Sequence, residues 1–265
     1  MQKCTSESYV QLFRQIANRT GVEPESLLCD FEQGARKGFK TVFPDSHWQG
    51  CLFHLSQAVY RQATADGFKN FYNDVSPDKL YRKLSRSLSA LSLIPQDQVK
   101  RGFDLLRDEA GKLPDGKEKD GCRRMLDYFE PNYIRRFTGR SLEVIRPRYP
   151  VRTWNCVGQV EADKCRTNNS LEGWHNGFRR HFKANSSPPL SRVITALQDE
   201  ESAAQGVMQP RQADHTAPIS APPRSKKQLF QDQKIRDLVA AFDPTWGDED
   251  LLGHIYALAN RGNYM

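Results

Sequence analysis

Leu27-Leu28-Cys29-Asp30-Phe31-Glu32 and Trp48-Gln49-Gly50-Cys51-Leu52-Phe53-His54 decide the fold of this chain. The first is a short apolar run of strand length that ends in an acid, over residues 26–30. The second, over residues 47–53, is a short strand that gives way to a helix at about His54, running to Ala65 and ending near Gly67. Between them, Ala35, Phe39, Val42 and Phe43 recur at helical spacing within residues 32–43, and Pro44-Asp45 makes a turn. Strand, helix, strand in that order predicts two parallel strands joined by a right-handed crossover. Ahead of them, Tyr9, Leu12, Phe13, Ile16 and Ala17 share one face of a helix over residues 6–20, which Gly21 closes.

Two strands make a poor sheet alone, and no clear partner strands follow. Residues 68–140 read as polar helices: Leu84, Leu88, Leu91 and Ile94, then Phe103, Leu105, Leu106 and Ala110, then Met125, Phe129 and Tyr133, punctuated by Pro77, Pro95, Pro114 and Pro131. Residues 141–166 look irregular and basic. Asn168 to Ser170 can cap a helix running to about Phe182, and Asn-Ser-Ser-Pro-Pro over residues 185–189 breaks it. A further helix covers residues 190–204. Residues 205–228, rich in Gln, Pro, Ala and Ser, read as a flexible linker. Two modest helices follow, near Ile235–Phe242 and Leu251–Leu258. The expected class is therefore α/β but predominantly helical. Its segments are 1–67 (α/β), 68–166 (helical), 167–204 (two helices), 205–228 (linker) and 229–265 (helical).

Composition narrows the class. The chain has 265 residues, 38% of them hydrophobic, and no apolar run near the roughly 20 residues that span a bilayer. No membrane partner is expected, and the N-terminus lacks a signal-peptide core. Six cysteines without a regular framework suit a reducing compartment, cytosol or nucleus. Of the net charge of +7, the excess sits in one place: residues 133–183 hold 11 basic against 4 acidic residues. Such a stripe is the footprint of a polyanion partner such as DNA, or else a solvated basic surface.

Asp30 and Glu172 stand out as candidate catalytic acids and metal ligands. Asp30 follows a strand, where functional residues of open α/β sheets gather, and a carboxylate there suits Mg²⁺; the bland alternative is a strand-ending or helix-capping Asp. Glu172 lies in the first turn of its helix, where the dipole alone favours an acid. It sits beside a packing face of Leu171, Trp174, Phe178 and Phe182, on the side of His175, Asn176 and Arg179, and that packing would hold it rigidly. Cys51 and His54 form Cys-x-x-His, half of a structural zinc site with no second pair to complete it. A supporting role beside the acidic site, through hydrogen bonds, is the expectation for them.

Taken together, Asp30-Phe31-Glu32, Phe43-Pro44, Gly50-Cys51-Leu52-Phe53-His54 with Gln57 and Arg61, Asp127-Tyr128-Phe129, and Arg166-Thr167-Asn168-Asn169-Ser170-Leu171-Glu172-Gly173-Trp174-His175 resemble the Mutator-like element (MULE) transposase family. The resemblance is to animal members often associated with FLYWCH zinc fingers, and it covers about residues 5–200. It implies a partial RNase H-like fold with a large helical insertion at 68–166. It makes Asp30 the second and Glu172 the third catalytic acid, with Mg²⁺ or Mn²⁺ as cofactor, supported by Cys51, His54, Asn168, Asn169 and His175. It also implies a nuclear protein that binds transposon-end DNA, with Arg135, Arg136, Arg140, Arg166, Arg179 and Arg180 as contacts, and a possible homo-oligomer. The family reaction is DNA strand cleavage and joining with two divalent ions.

The chain opens at what corresponds to the helix before the family's fourth strand, so the opening strands and the first catalytic Asp are expected to be missing. Glu7, Glu23 and Glu25 sit in helical or loop positions and do not replace it. Two expectations follow. One is a remnant of a transposase that does not cleave DNA on its own; the other is a domesticated DNA- or protein-binding protein. Either would leave the strand at Leu27–Cys29 with an exposed edge unless other elements cover it.

Overall fold

The computed structural model describes residues 5–76, 79–139, 143–182, 187–213 and 225–261. Helix α1 (Ser6–Thr20) starts at Thr5, whose hydroxyl accepts the Ser8 N–H, and stops at Gly21 with φ 63°. Strand β1 (Ser26–Cys29) leads into α2 (Gln33–Val42). Strand β2 (His47–Gly50) then returns parallel to β1, with Leu27 opposite Trp48 and Cys29 opposite Gly50. The predicted parallel pair and its crossover helix are present. α1 lies against α2 at Gly38, where a Cβ would fall 2.5 Å from Tyr9 Cβ.

Two local expectations need correction. Helix α3 (Leu52–Thr64) begins two residues before the expected His54. The Cys51 N–H donates to Cys29 O at 2.9 Å and ends the ladder, and the Leu52 N–H is taken by Arg166 O at 3.0 Å, so Leu52 and Phe53 turn into the helix instead of extending the strand. Strand β1 is half-buried rather than buried, because among the described residues it pairs with β2 alone.

Beyond α3 come α4 (Lys69–Asn73), α5 (Leu80–Ala90), α6 (Val99–Gly111) and α7 (Lys117–Phe129), the last running into a π-turn at Glu130–Ile134. The apolar residues that set their periodicity are buried: Leu84, Leu88, Leu91, Ile94, Phe103, Leu106, Ala110, Met125, Phe129 and Tyr133. Leu105 is buried only in part. Helix α5 has no cap of its own. Glu118 on α7 supplies one, accepting the Leu80 N–H at 2.9 Å and the Tyr81 N–H at 3.1 Å, two of the donors a helix start leaves unpaired.

Strand β3 (Arg136–Phe137) ends the stretch read as helical, where the chain leaves the π-turn extended; it pairs antiparallel with β4 (Val144–Ile145), and α8 (Val157–Glu161) follows within the stretch read as irregular. Two-residue strands carry no periodicity to read. Buried Trp154 and Asn155 lie between these elements; Asn155 Nδ2 donates to Ile94 O at 2.7 Å and the Cys156 N–H to Ser92 O at 2.7 Å.

The chain divides into two compact units, residues 1–168 with 230–265, and residues 169–229. In the second unit, α9 (Asn169–Arg180) is followed by α10 (Leu190–Ala213). α10 runs past the expected end at residue 204 into the segment read as linker, carried across that boundary by Ala203, Ala204 and Gln205, good helix formers. Helix α11 (Lys226–Ala240) starts before that segment ends, and α12 (Asp248–Arg261) completes the chain's described helices. α12 packs on α5 and α6, burying Leu251, Ile255 and Leu258 in the same core. No described helix is long and apolar enough to cross a membrane.

Candidate functional site

The residues Asp30-Phe31-Glu32 leave β1 in three directions. Glu32 accepts the Tyr9 hydroxyl at 2.8 Å. Phe31 enters an aromatic cluster with Trp48, Tyr133 and Tyr149, its centroid 4.8 Å from that of Tyr149, and its carbonyl accepts the Tyr149 hydroxyl at 2.8 Å. Gly50 leaves room for the ring, since a Cβ there would meet it at 2.6 Å. With both neighbours fixed, Asp30 is turned toward the start of α3.

Its carboxylate meets two nitrogens. Asn168 Nδ2 donates to Asp30 Oδ1 at 3.0 Å, and His54 Nδ1, in the first turn of α3, lies 3.0 Å from the same oxygen. The Asn168 Oδ1 accepts the Cys51 thiol at 3.1 Å, and the Asn168 N–H points at Cys51 Sγ at 3.5 Å. Asp30, Cys51, His54 and Asn168 thus form one polar cluster at the carboxyl ends of the two strands. Cys51 is fully buried, and burial raises its thiol above the ordinary range against the lowering effect of the Asn168, His54 and Phe53 N–H groups; it stays a neutral donor. Cys29, beside it, is pushed up to about 11 by burial and accepts the Trp48 Nε1–H at 3.0 Å.

The side of β2 is also polar. Gln49 is buried, with Nε2 donating to Asn155 O at 3.2 Å and Oε1 accepting from Gln159 Nε2 at 3.0 Å. Sequence reasoning missed this glutamine, which looks like an ordinary alternating strand residue. Arg166 holds the cluster from below: its carbonyl binds the Leu52 N–H, and its guanidinium pairs with Asp232 of α11.

The cluster offers a metal ion one carboxylate. Asn168 and His54 direct nitrogen at Asp30 Oδ1, which complements an anion rather than a cation, so these residues do not form a two-ion site among themselves. Among the described residues, no three His, Cys, Asp or Glu side chains are placed so that they could hold a metal ion together.

Glu172, Asn169 and His175 lie on α9, in the second unit. There Trp174 stacks on Phe178 with centroids 5.1 Å apart, and Phe178 meets Phe182 edge-on at 5.1 Å. Glu200 of α10 accepts the Trp174 indole N–H at 2.5 Å and lies 3.4 Å from His181 Nε2. Phe182 is buried, but Leu171 and Trp174 are exposed. The face expected to pack along the whole helix packs at its C-terminal end. Arg179 and Arg180 are exposed on the last turn.

The remaining arginines differ in surroundings. Arg135 is held by Asp104 and by Glu130, its Nε 2.8 Å from Glu130 Oε1. Arg136 is exposed. Arg140 lies outside the described residues.

A family comparison adds to this geometry. Residues 1–58 match the MULE transposase domain. The matched MULE segment spans α1, β1, α2, β2 and the first half of α3, and so contains Asp30, Cys51 and His54; Asn168 and Glu172 lie beyond it. No curated protein and no solved structure matches the chain.

Proposed function

We propose that this is a transposase-related DNA-binding protein of the nucleus, built on part of an RNase H-like core. The observation that carries the reading is the MULE match over the segment that places Asp30 at a strand end beside Cys51 and His54. In the proposal, Asp30 and Glu172 correspond to the second and third acids of a DDE transposase, of the FLYWCH-associated type, and residues 68–166 to its helical insertion. Mg²⁺ or Mn²⁺ belongs to the same proposal, as the cofactor of the family reaction. With two acids of the family set among its residues, the purified chain is expected to bind DNA without cutting it.

The test uses the purified full chain, duplex DNA and supercoiled plasmid with Mg²⁺ or Mn²⁺. Salt-dependent DNA binding without nicking is the expected result. Nicking that disappears in Asp30→Ala would replace the non-catalytic form of the reading with a catalytic one. Absence of duplex binding at low salt would sink it.

A further inference from the structure

The β3–β4 ribbon takes no part in the core. Arg136, Phe137, Val144 and Ile145 are all exposed, and the Arg135 guanidinium lies over the Phe137 ring. Residues 135–152 hold six arginines, no lysine and one acid, Glu143. Register places Arg136 and Ile145 on one face and Phe137 and Val144 on the other. The flanking Arg146, Arg148 and Arg152 are exposed too. Among the described residues, none of Arg136, Arg146, Arg148 and Arg152 forms an ion pair with an acid.

The base of the ribbon, in contrast, is fixed. Arg135 is clamped by Asp104 and Glu130, and Arg107 joins it with Nη2 2.7 Å from Glu130 Oε2. The Arg148 N–H donates to Pro131 O at 3.1 Å and the Tyr149 N–H to Asn132 O at 2.8 Å. Across the ribbon, Arg136 Nε donates to Arg146 O at 2.9 Å, and the Thr138 N–H to Glu143 O at 3.1 Å. An exposed two-stranded ribbon bearing arginines has a partner in charge and shape. The major groove of duplex DNA is about 12 Å wide and admits a two-stranded ribbon. Arginine serves there better than lysine, because its planar fork binds phosphate and guanine edges in pairs of hydrogen bonds.

We infer that the β3–β4 ribbon seats in a groove of duplex DNA, with Arg136, Arg146, Arg148 and Arg152 as its contacts and Arg135 as its internal clamp. This rests on the DNA-binding reading above and assigns that binding to one element.

Duplex affinity of the full chain, measured by fluorescence anisotropy over a salt series, tests it. Arg136→Ala/Arg146→Ala/Arg148→Ala should weaken binding at least about tenfold and lower the salt slope by roughly 2–3, about 0.9 for each phosphate no longer neutralised. Circular dichroism and melting of the variant check that losing the Arg136 bond to Arg146 O and the Arg148 contact with the Tyr149 ring leaves the fold intact. Arg136→Glu with Arg146→Glu gives a second, stronger variant. If the wild type binds duplex and both variants match it in affinity and slope, the ribbon inference fails while the DNA-binding reading stands. If the wild type binds no duplex at low salt, both fall. If a poly-glutamate peptide binds the wild type as tightly as duplex does, the ribbon is a surface for acidic protein and the inference is overturned.

Discussion

Asn168 Nδ2 donates to Asp30 Oδ1 at 3.0 Å across 138 positions of sequence, joining the end of the first strand to the residue that precedes α9. The same amide accepts the Cys51 thiol, so one side chain serves both the carboxylate and the start of α3. Its amide is occupied by these partners rather than by the helix it was expected to cap.

Asn168→Ala is therefore expected to destabilise the chain by about 1 kcal/mol, since it leaves a buried thiol without its acceptor. Asp30 is half-exposed, its side chain at 52%, so the Asn168–Asp30 coupling should be small, roughly 0.5 kcal/mol. A double-mutant cycle with Asp30→Ala in urea measures it. Zero coupling would show that the contact only reports proximity.

How much of this was legible follows from chain distance and period. The strand–helix–strand order, Asp30 at a strand end, and the buried stripes of α5, α6 and α7 repeat at 2.0 or 3.6 residues, and such periods can be read directly. The pairing of Arg135 with Asp104 and Glu130, the Glu118 cap on α5 and the Gln49–Asn155 contact have no local pattern, because their partners come from elsewhere in the chain. An arginine read as a free cation looks the same in sequence whether exposed, like Arg136, or clamped, like Arg135. Two-residue strands such as β3 and β4 are too short for any period.

That distinction between neighbouring arginines gives a stability prediction. Arg135 is 19% exposed in its side chain and makes charge-assisted contacts to Asp104 and Glu130. Arg135→Ala should cost about 1.5–3 kcal/mol, partly by leaving Glu130, itself nearly buried, with Arg107 alone. Arg136→Ala should stay within about 0.5 kcal/mol of wild type. Urea midpoints compare them directly, and equal costs would mean that the clamp contributes nothing.

Gly38 marks where α1 and α2 come closest. A methyl there would lie 2.5 Å from Tyr9 Cβ and 3.0 Å from the Tyr9 carbonyl carbon, atoms that move only if the helix moves. Gly38→Ala should therefore lift α1 and cost about 1–3 kcal/mol, despite the better helix propensity of alanine. Limited proteolysis should cut faster within residues 6–20. A stabilised variant with unchanged cleavage would show that α1 can shift freely.

His254 supplies the pH prediction. It is buried against Trp246, with centroids 4.8 Å apart, and near Phe242 at 6.1 Å, and its Nε2 has no hydrogen-bond partner. Burial holds its pKa below the ordinary 6.5, so the folded state resists the proton that the unfolded chain accepts. Between the lowered folded pKa and 6.5 the unfolded state binds more protons, and stability rises with pH. This contribution is complete above about pH 6.5 and declines as pH falls below it. His254→Phe keeps an aromatic ring against Trp246 and removes the titration. Urea unfolding at several pH values should then show a slope in the wild type below about pH 6.5 that is smaller in the variant. Identical slopes would mean that His254 is as free to protonate in the fold as in the open chain.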